Sequence, residues 1–313
     1  PRRLPNGDFS ETRTFGPAKE FWVQSFQKWV LENGEKVVMV VLGTDEQAGE
    51  YALVSNLGSI VARLLFQPLE EMALATFGKL QAIAADGAAD EKRGRQALHT
   101  MRQAFSVLLR LLVILGLLFA CFGPAYAHLL LRLLYGTTWS ETSAPGVLSW
   151  YCTYILAMAV NGLCEAFVQG VATQEQLRTY NYWMVLFSAT FIGAVVLLMP
   201  YGAIGMVVAN VLKMACRIAV CVVAYIRPAF QETGQAAALR SALPAPSVCA
   251  AFAGAFAATQ ASSAFVYSRG AGFTWLAAAK HVAVGVICLG VVAVAAWRCH
   301  GRQLLRDVRE LRG

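Results

Sequence analysis

Charged residues are scarce in this sequence: Asp, Glu, Lys and Arg together make up 14% of its 313 residues, while 57% are hydrophobic. In a soluble globular protein about a quarter of the residues are charged. This composition excludes a disordered chain and nearly every water-soluble enzyme of this length. Apolar windows of about 20 residues, long enough to cross a hydrocarbon core, recur along the chain. The sequence therefore predicts an all-α, polytopic transmembrane bundle.

The sequence also lacks the motifs of the common enzyme and metal-site classes. It contains no Walker A, GxSxG, HExxH or Rossmann fingerprint. Its eight cysteines form no CxxC pair, and most lie in apolar stretches, which favours buried thiols over a disulfide framework. We expect no catalytic residue, no metal site and no cofactor. The net charge of +7 does not indicate a nucleic-acid partner, because the basic residues lie between apolar stretches.

Eight apolar stretches predict eight membrane spans. A ninth apolar stretch, 125–135, is too short to cross, and it predicts either an interfacial turn or the tail of the third span. Pro68 removes a backbone hydrogen bond inside the second span and is expected to bend it. The expected spans are 20–42, 50–78, 103–123, 147–171, 179–200, 203–226, 245–267 and 275–297.

The distribution of Lys and Arg predicts the orientation of the spans. Seventeen of these residues fall on one side, including a loop expected over 79–102, and only Arg132 and Arg269 fall on the other. Since positive charge accumulates on the cytosolic side, both ends of the chain are expected in the cytosol. The polar segment 1–19 is expected to be a linker, and the chain is expected to be the C-terminal part of a longer protein.

Four of the predicted spans carry polar side chains at intervals of three or four residues, which places them on one helical face. A charged side chain at the centre of a spanning helix costs about 2.5–3.5 kcal/mol on insertion scales. Such residues therefore indicate a wet cavity or a polar partner. They are Lys28, Glu32 and Glu35 in the first span, Asn56, Arg63, Gln67 and Glu70 in the second, Asn161 and Glu165 in the fourth, and Lys213 and Arg217 in the sixth.

Each stripe has an alternative interpretation. The first predicted span could instead be an amphipathic helix that lies on the membrane surface. Arg63 could instead hold helices together as an ion pair with Glu70 or Glu35. Lys213 and Arg217 suit an anionic ligand such as phosphate, or a pairing with Glu165 or Glu32. Arg110 and Lys280 lie near span ends and are expected to snorkel. The fifth, seventh and eighth spans are expected to be packing helices, with small residues that allow close approach.

Three runs resemble the Rft oligosaccharide-translocation proteins of the endoplasmic reticulum. They are QSFQKWVLENGEKVVM (24–39), YALVSNLGSIVARLLFQPLEE (51–71) and SWYCTYILAMAVNGLCEAF (149–167). Weaker likeness continues through 180–191, 209–219 and 276–290, and the match falls on the second half of the family protein. The resemblance implies a superfamily with two six-helix lobes around a central cavity. On that basis 20–226 is the second lobe, 227–244 a cytosolic loop, 245–297 two additional helices and 298–313 a basic cytosolic tail.

The resemblance also implies a function, which is to flip the dolichol-diphosphate-linked mannosyl-chitobiose oligosaccharide across the reticulum membrane, from cytosol to lumen, for protein N-glycosylation. The implied partners are this glycolipid, the lipid bilayer and the missing N-terminal lobe of the same protein. The alternatives are a non-translocating accessory or scaffold protein and a cation-coupled small-molecule antiporter. For flipping, the diphosphate contacts would be Lys28, Arg63, Lys213 and Arg217, and the glycan or charge-balancing contacts would be Glu32, Glu35, Asn56, Gln67, Glu70, Asn161 and Glu165.

Overall fold

The computed structural model describes residues 38–39, 41, 43–86, 91–230, 243–266 and 274–301. Every regular element in these ranges is a helix, so the predicted all-α fold is confirmed. Six helical stretches within them are long and apolar enough to cross a membrane. The helices are α1 (Asp45–Val61), α2 (Gln67–Asp86), α3 (Glu91–Tyr135), α4 (Thr137–Ser140), α5 (Ala144–Val171), α6 (Gln174–Leu198), α7 (Gly202–Val220), α8 (Arg227–Ala229), α9 (Pro246–Val266) and α10 (Trp275–Ala296).

Helices α1 and α2 form one stretch that a π-helical turn, Ala62–Phe66, joins. The stretch begins at a capping box in which Thr44 and Gln47 satisfy each other's backbone N–H groups at 3.3 Å. Pro68 has no N–H to give to the preceding turn, and the wide π turn ends two residues before it. The helix is thus irregular beside Pro68, and the bend expected there stays a prediction.

Helix α3 is 45 residues long and spans about 68 Å at 1.5 Å per residue, far more than the hydrocarbon core. The prediction of a loop over 79–102 is wrong for the described part of this range, since α2 runs to Asp86 and α3 begins at Glu91. The residues 91–102 continue the helical pattern without a break, so their polarity marks a helix that extends beyond the membrane. Of the two alternatives for 125–135, the helical tail of the third span is confirmed.

The predicted spans 179–200 and 203–226 lie in one helical stretch, Gln174–Ala229. A 3₁₀ turn, Met199–Tyr201, and Gly202 with φ of 60° interrupt it. Only glycine adopts this backbone conformation cheaply, so the chain reverses here and α6 packs against α7. Five other predicted spans (50–78, 103–123, 147–171, 245–267, 275–297) each coincide with a helical stretch. The first span falls largely outside the described residues, so the count of eight stays a prediction.

Helix α5 lies at the centre of the bundle and contacts α1, α2, α3 and α7. Four phenylalanines from α2, α3, α5 and the end of the bundle form its aromatic core, with ring centroids 5.2–6.2 Å apart: Phe77, Phe105, Phe167 and Phe230. Helices α9 and α10 pack against each other, and α9 packs on α3 through a second, smaller apolar cluster around Phe252. The two C-terminal helices are thus attached to the outside of the bundle.

Candidate functional site

Apart from Lys213, the predicted site residues in the described part of the chain form an exposed set and a set that is buried or half-buried. Asn56, Arg63 and Gln67 are exposed on the α1–α2 stretch. Glu70, Asn161, Glu165 and Arg217 meet between α2, α5 and α7. Lys28, Glu32 and Glu35 lie outside the described residues.

The exposed Asn56, Arg63 and Gln67, together with the half-buried Ser59, form what we call the open stripe. The Arg63 guanidinium donates to the Ser59 carbonyl at 3.2 Å and to the Ser59 hydroxyl at 2.8 Å. The Ser59 hydroxyl donates in turn to the Asn56 carbonyl at 2.8 Å. Among the described residues, Arg63 therefore bonds only within its own helix, and the strut to Glu70 that the alternative interpretation gave does not form. The other partner of that alternative, Glu35, lies outside the described residues. A guanidinium has five N–H donors, so the stripe offers donors to whatever lies against it.

The second set, which we call the carboxylate cluster, consists of the buried Asn161 and the half-buried Glu70, Glu165 and Arg217. Glu165 Oε1 accepts from Asn161 Nδ2 at 2.7 Å and forms an ion pair with the Arg217 guanidinium. The side chains of Arg217 and Glu165 are 21% and 19% exposed. Arg217 thus takes the pairing that the alternative interpretation gave it. The cluster joins α5 to α7 within their membrane-spanning stretches.

Glu70 enters this cluster from α2. Its carboxylate packs directly against Gly162 of α5, where a Cβ would overlap it, and it experiences the charge of Glu165. Glycine at 162 is therefore required for the close approach of α2 to α5. Two polar atoms of the cluster, Asn161 Oδ1 and Arg217 Nε, are buried and have no hydrogen-bond partner among the described residues.

Lys213 lies one turn before Arg217 on α7 but meets a different neighbour. Its Nζ lies 4.2 Å from the centroid of the Phe191 ring on α6, within the range of a cation–π interaction. The structure therefore does not bring Lys213 and Arg217 together at a single contact, as a shared phosphate site would require.

Sequence reasoning missed Tyr180, which closes the carboxylate cluster from α6. Its buried hydroxyl lies 3.7 Å from the Cys221 sulfur and interacts with the charges of Glu165 and Arg217. The helix of Tyr180 was expected only to pack. A lone tyrosine has no periodic polar neighbours, so no pattern in the sequence marks it.

Sequence reasoning also missed a polar junction on α10, which was likewise expected only to pack. His281 is fully buried, with Nε2 3.1 Å from the Ala125 carbonyl and Nδ1 2.9 Å from the Ser262 hydroxyl. Since a carbonyl only accepts, the His281 Nε2 carries a proton and donates it to Ala125. Tyr126 stacks on the imidazole at 4.2 Å and donates to the His281 carbonyl at 2.8 Å. This junction ties α3, α9 and α10 together.

The expectation that Arg110 snorkels is wrong. The residue is 4% exposed and interacts electrostatically with His300. His300 in turn accepts from the Ala245 backbone N–H at 3.0 Å, just before α9 begins. Arg110 therefore belongs to the packing between α3 and the C-terminal helices.

Two cavities that described residues line contain none of the predicted site residues. One, of about 350 Å³, lies at the end of the bundle where α5 turns into α6 and is lined by Thr173, Gln176 and Tyr225 among others. The other, of about 380 Å³, is an apolar groove between α3 and α10. No group of three metal-ligating side chains occurs in the described part of the chain.

The comparison with known families decides the classification. A family model described as Rft protein matches residues 9–311. The chain belongs to the Rft family. The expected resemblance is thus confirmed, and no solved structure matches this Rft chain.

Curated relatives of this Rft chain carry the name Man(5)GlcNAc(2)-PP-dolichol translocation protein RFT1. The mouse protein is 34% identical over 290 residues, which cover 90% of this chain and 51% of the mouse protein. The Xenopus tropicalis protein is 32% identical over 299 residues, covering 92% of this chain and 54% of the relative. The Saccharomyces cerevisiae protein is 34% identical over 206 residues, covering 65% of this chain and 34% of the yeast protein. The chain thus spans about half the length of the first two relatives.

Proposed function

We propose that this Rft chain is part of a protein that moves a dolichol-diphosphate-linked mannosyl-chitobiose oligosaccharide from the cytosolic to the lumenal leaflet of the endoplasmic reticulum membrane. The oligosaccharide would then serve protein N-glycosylation. The names of the curated relatives support this substrate. Translocation leaves the covalent structure of the lipid unchanged, so the protein acts as a transporter and not as an enzyme.

The open stripe is the observation that carries the proposal. Arg63 lies near the middle of the 42-residue spanning stretch Asp45–Asp86 and is exposed there. A guanidinium in contact with lipid tails is costly, so such residues face water or polar partners. The stripe is therefore assigned to a hydrated cleft, with lipid on the other faces of the stretch.

The chemistry of the stripe matches the headgroup. A guanidinium binds phosphate oxygens in a bidentate manner, so Arg63 is assigned to the diphosphate. The amides of Asn56 and Gln67 offer donors and acceptors to sugar hydroxyls. The polyisoprenoid tail remains in the bilayer, because a cleft that opens sideways exposes only the headgroup to polar side chains.

The remaining predicted residues divide between the headgroup and the scaffold. Lys28 is proposed as a second diphosphate contact, and Glu32 and Glu35 as glycan or charge-balancing contacts. Lys213 is proposed to line the cleft only when α7 moves relative to α6. Glu70, Asn161, Glu165 and Arg217 are proposed to hold α2, α5 and α7 together.

We propose that the cleft lies between this chain, as the second lobe, and an N-terminal lobe in the full-length protein, with both ends of this chain in the cytosol. The two lobes would rock about the headgroup site to alternate its access. The positive-inside distribution of Lys and Arg supports this orientation.

The test uses the full-length protein in vesicles that contain a dolichol-linked oligosaccharide. The protein is expected to accelerate exchange of the lipid between leaflets. Arg63→Ala should reduce the acceleration about tenfold or more, since a hydrogen bond to a charged group contributes about 1.5–3 kcal/mol. Arg95→Ala is the matched control, because Arg95 is an exposed arginine that pairs with Glu91 on its own helix.

Failure of the pure protein to accelerate exchange contradicts the proposal. If it binds the glycolipid without accelerating exchange, the accessory-protein alternative holds instead. Equal loss in Arg63→Ala and Arg95→Ala would show that net charge matters, and not the open stripe.

A further inference from the structure

The cavity of about 350 Å³ at the end of the bundle has the size of a small-molecule site, since such sites measure about 300–1,000 Å³. It lies near the end of α2, the end of α5 and the beginning of α6. The positive-inside distribution predicts that this is the cytosolic surface of the membrane. Gln81, which lines the cavity from α2, lies about 21 Å along the helix from Gln67 of the open stripe. The cavity is therefore separate from the stripe.

The walls of this cavity are mostly apolar. Met101 and Phe167, which line it, are fully buried in the core of the bundle. Further apolar side chains come from α3, the end of α5, the π turn Cys221–Ile226 and α8. None of the described side chains that line the cavity is charged. A phosphate or a metal ion would lose its hydration there without gaining a counter-charge, so the cavity suits an uncharged ligand.

Four polar side chains interrupt these apolar walls: Gln81, Thr173, Gln176 and Tyr225. Three of them are held in place by one another. The Thr173 N–H donates to Gln176 Oε1 at 2.9 Å, and the Tyr225 hydroxyl donates to the Gln176 carbonyl at 3.2 Å. The Tyr225 ring also lies edge-on to Tyr180, with centroids 5.8 Å apart. The polar wall is thus fixed before a ligand arrives, which lowers the entropic cost of binding.

Two carboxamides in this wall have hydrogen-bonding groups to spare. Gln176 uses Oε1 to cap α6, which leaves the two N–H groups of its Nε2 available. Gln81 is half-buried and makes no hydrogen bond to a described residue. Together the two amides offer donors and an acceptor, which is what a hydroxyl requires. A sugar would place most of its hydroxyls against the apolar walls at a high cost, whereas an apolar molecule with a single hydroxyl would not.

We propose that this cavity binds a lipid alcohol, a molecule with one hydroxyl on an uncharged apolar body. The hydroxyl bonds to the amides of Gln81 and Gln176, and the apolar body packs against Met101 and Phe167. Sterols and polyprenols share this chemistry, and the hydroxyl of either belongs at the surface of the membrane, where the cavity lies. This inference goes beyond the proposed function and does not rest on it, because the cavity is separate from the open stripe.

The first test measures binding of tritiated cholesterol and, separately, of a tritiated polyprenol to the full-length protein in phosphatidylcholine nanodiscs. We expect saturable binding of at least one of them, and the one that binds identifies the source of the lipid alcohol. Its methyl ether accepts a hydrogen bond but donates none, so the ether should compete about threefold to tenfold less well. The proposal is overturned if neither alcohol binds saturably, or if the ether competes as well as the alcohol.

The second test locates the bound lipid with variants of the full-length protein. Gln81→Leu removes one carboxamide and should weaken binding about threefold to tenfold. Ala224→Phe narrows the cavity and should weaken binding at least as much. Ala224 is an exposed lining residue, so the larger side chain should not disturb the core. Gln96→Leu is the matched control, because Gln96 is an exposed glutamine on the neighbouring α3 that does not line the cavity.

The control variant should bind the lipid as wild type does. If Gln81→Leu or Ala224→Phe binds as tightly as wild type, or if Gln96→Leu loses as much affinity as Gln81→Leu, the lipid does not occupy this cavity. Neither test measures glycolipid exchange, so failure of this proposal leaves the proposed function in place.

Discussion

Glu165 on α5 and Arg217 on α7 form an ion pair, and the same Glu165 oxygen accepts from the Asn161 amide at 2.7 Å. The guanidinium that was expected to meet a phosphate is thus already engaged inside the protein. The pair joins two helices at spanning depth, where the removal of one charge leaves the other uncompensated. The structure therefore favours a scaffold role for Arg217. Of the predicted diphosphate contacts among the described residues, Arg63 is the exposed one.

Arg217→Met is expected to destabilise the full-length protein by about 3 kcal/mol, because it strands the Glu165 carboxylate in a poorly solvated site. The double variant Arg217→Met, Glu165→Met should recover a large part of this loss, since both charges are then removed. Thermal unfolding in detergent measures both effects. Arg95→Met, in an exposed pair with Glu91, is the control and should leave the melting temperature unchanged.

An additive double variant would contradict this assignment. It would show that Arg217 and Glu165 do not interact in the protein, whatever the cost of each single change.

His281→Ala is expected to loosen the two C-terminal helices from α3. The change removes the bonds to Ala125 and Ser262 and the stack on Tyr126, at a cost of about 1–3 kcal/mol. Limited proteolysis of the full-length protein should show faster cleavage between α9 and α10 or before α9. His99→Ala, at an exposed position on α3, provides the control and should leave the cleavage rate unchanged.

Gly58→Ala and Gly254→Ala are expected to change stability in opposite directions. A Cβ at Gly58 would overlap the ring of Tyr151, whereas a Cβ at Gly254 meets nothing within 4 Å. The first substitution therefore pushes α1 away from α5 and destabilises the protein. The second removes a helical glycine and stabilises by up to about 1 kcal/mol. Thermal unfolding distinguishes them, and destabilisation by both would show that close packing at Gly58 is not the cause.

The fold could be predicted where its determinants are local. Apolar stretches of spanning length placed the helical segments around 147–171, 245–267 and 275–297 correctly, because length and hydropathy alone determine them. The loop expected over 79–102 was wrong for a physical reason. Its Lys and Arg residues mark the level at which a helix leaves the membrane, but they do not end a helix, and its described parts, 79–86 and 91–102, are helical.

The candidate site could be predicted as a set of polar residues but not as an arrangement. Periodicity placed Asn56, Arg63 and Gln67 on one face, and the structure has all three exposed. Periodicity could not show that Arg217 faces Glu165, because that contact depends on how α7 packs on α5. The buried His281 was missed for the same reason, since its partners Ala125 and Ser262 lie on two other helices.

The central claim is that the open stripe faces water at the depth of the membrane. The most direct test is thiol labelling of Arg63→Cys in a full-length protein whose other cysteines have been replaced, with a membrane-impermeant reagent that reacts only with a hydrated thiolate. Leu64→Cys is the matched control, because Leu64 is the next residue on the same turn and is 70% exposed. We predict that position 63 is labelled and position 64, facing lipid, is not. Equal labelling of the two positions, or no labelling of position 63, would contradict the account.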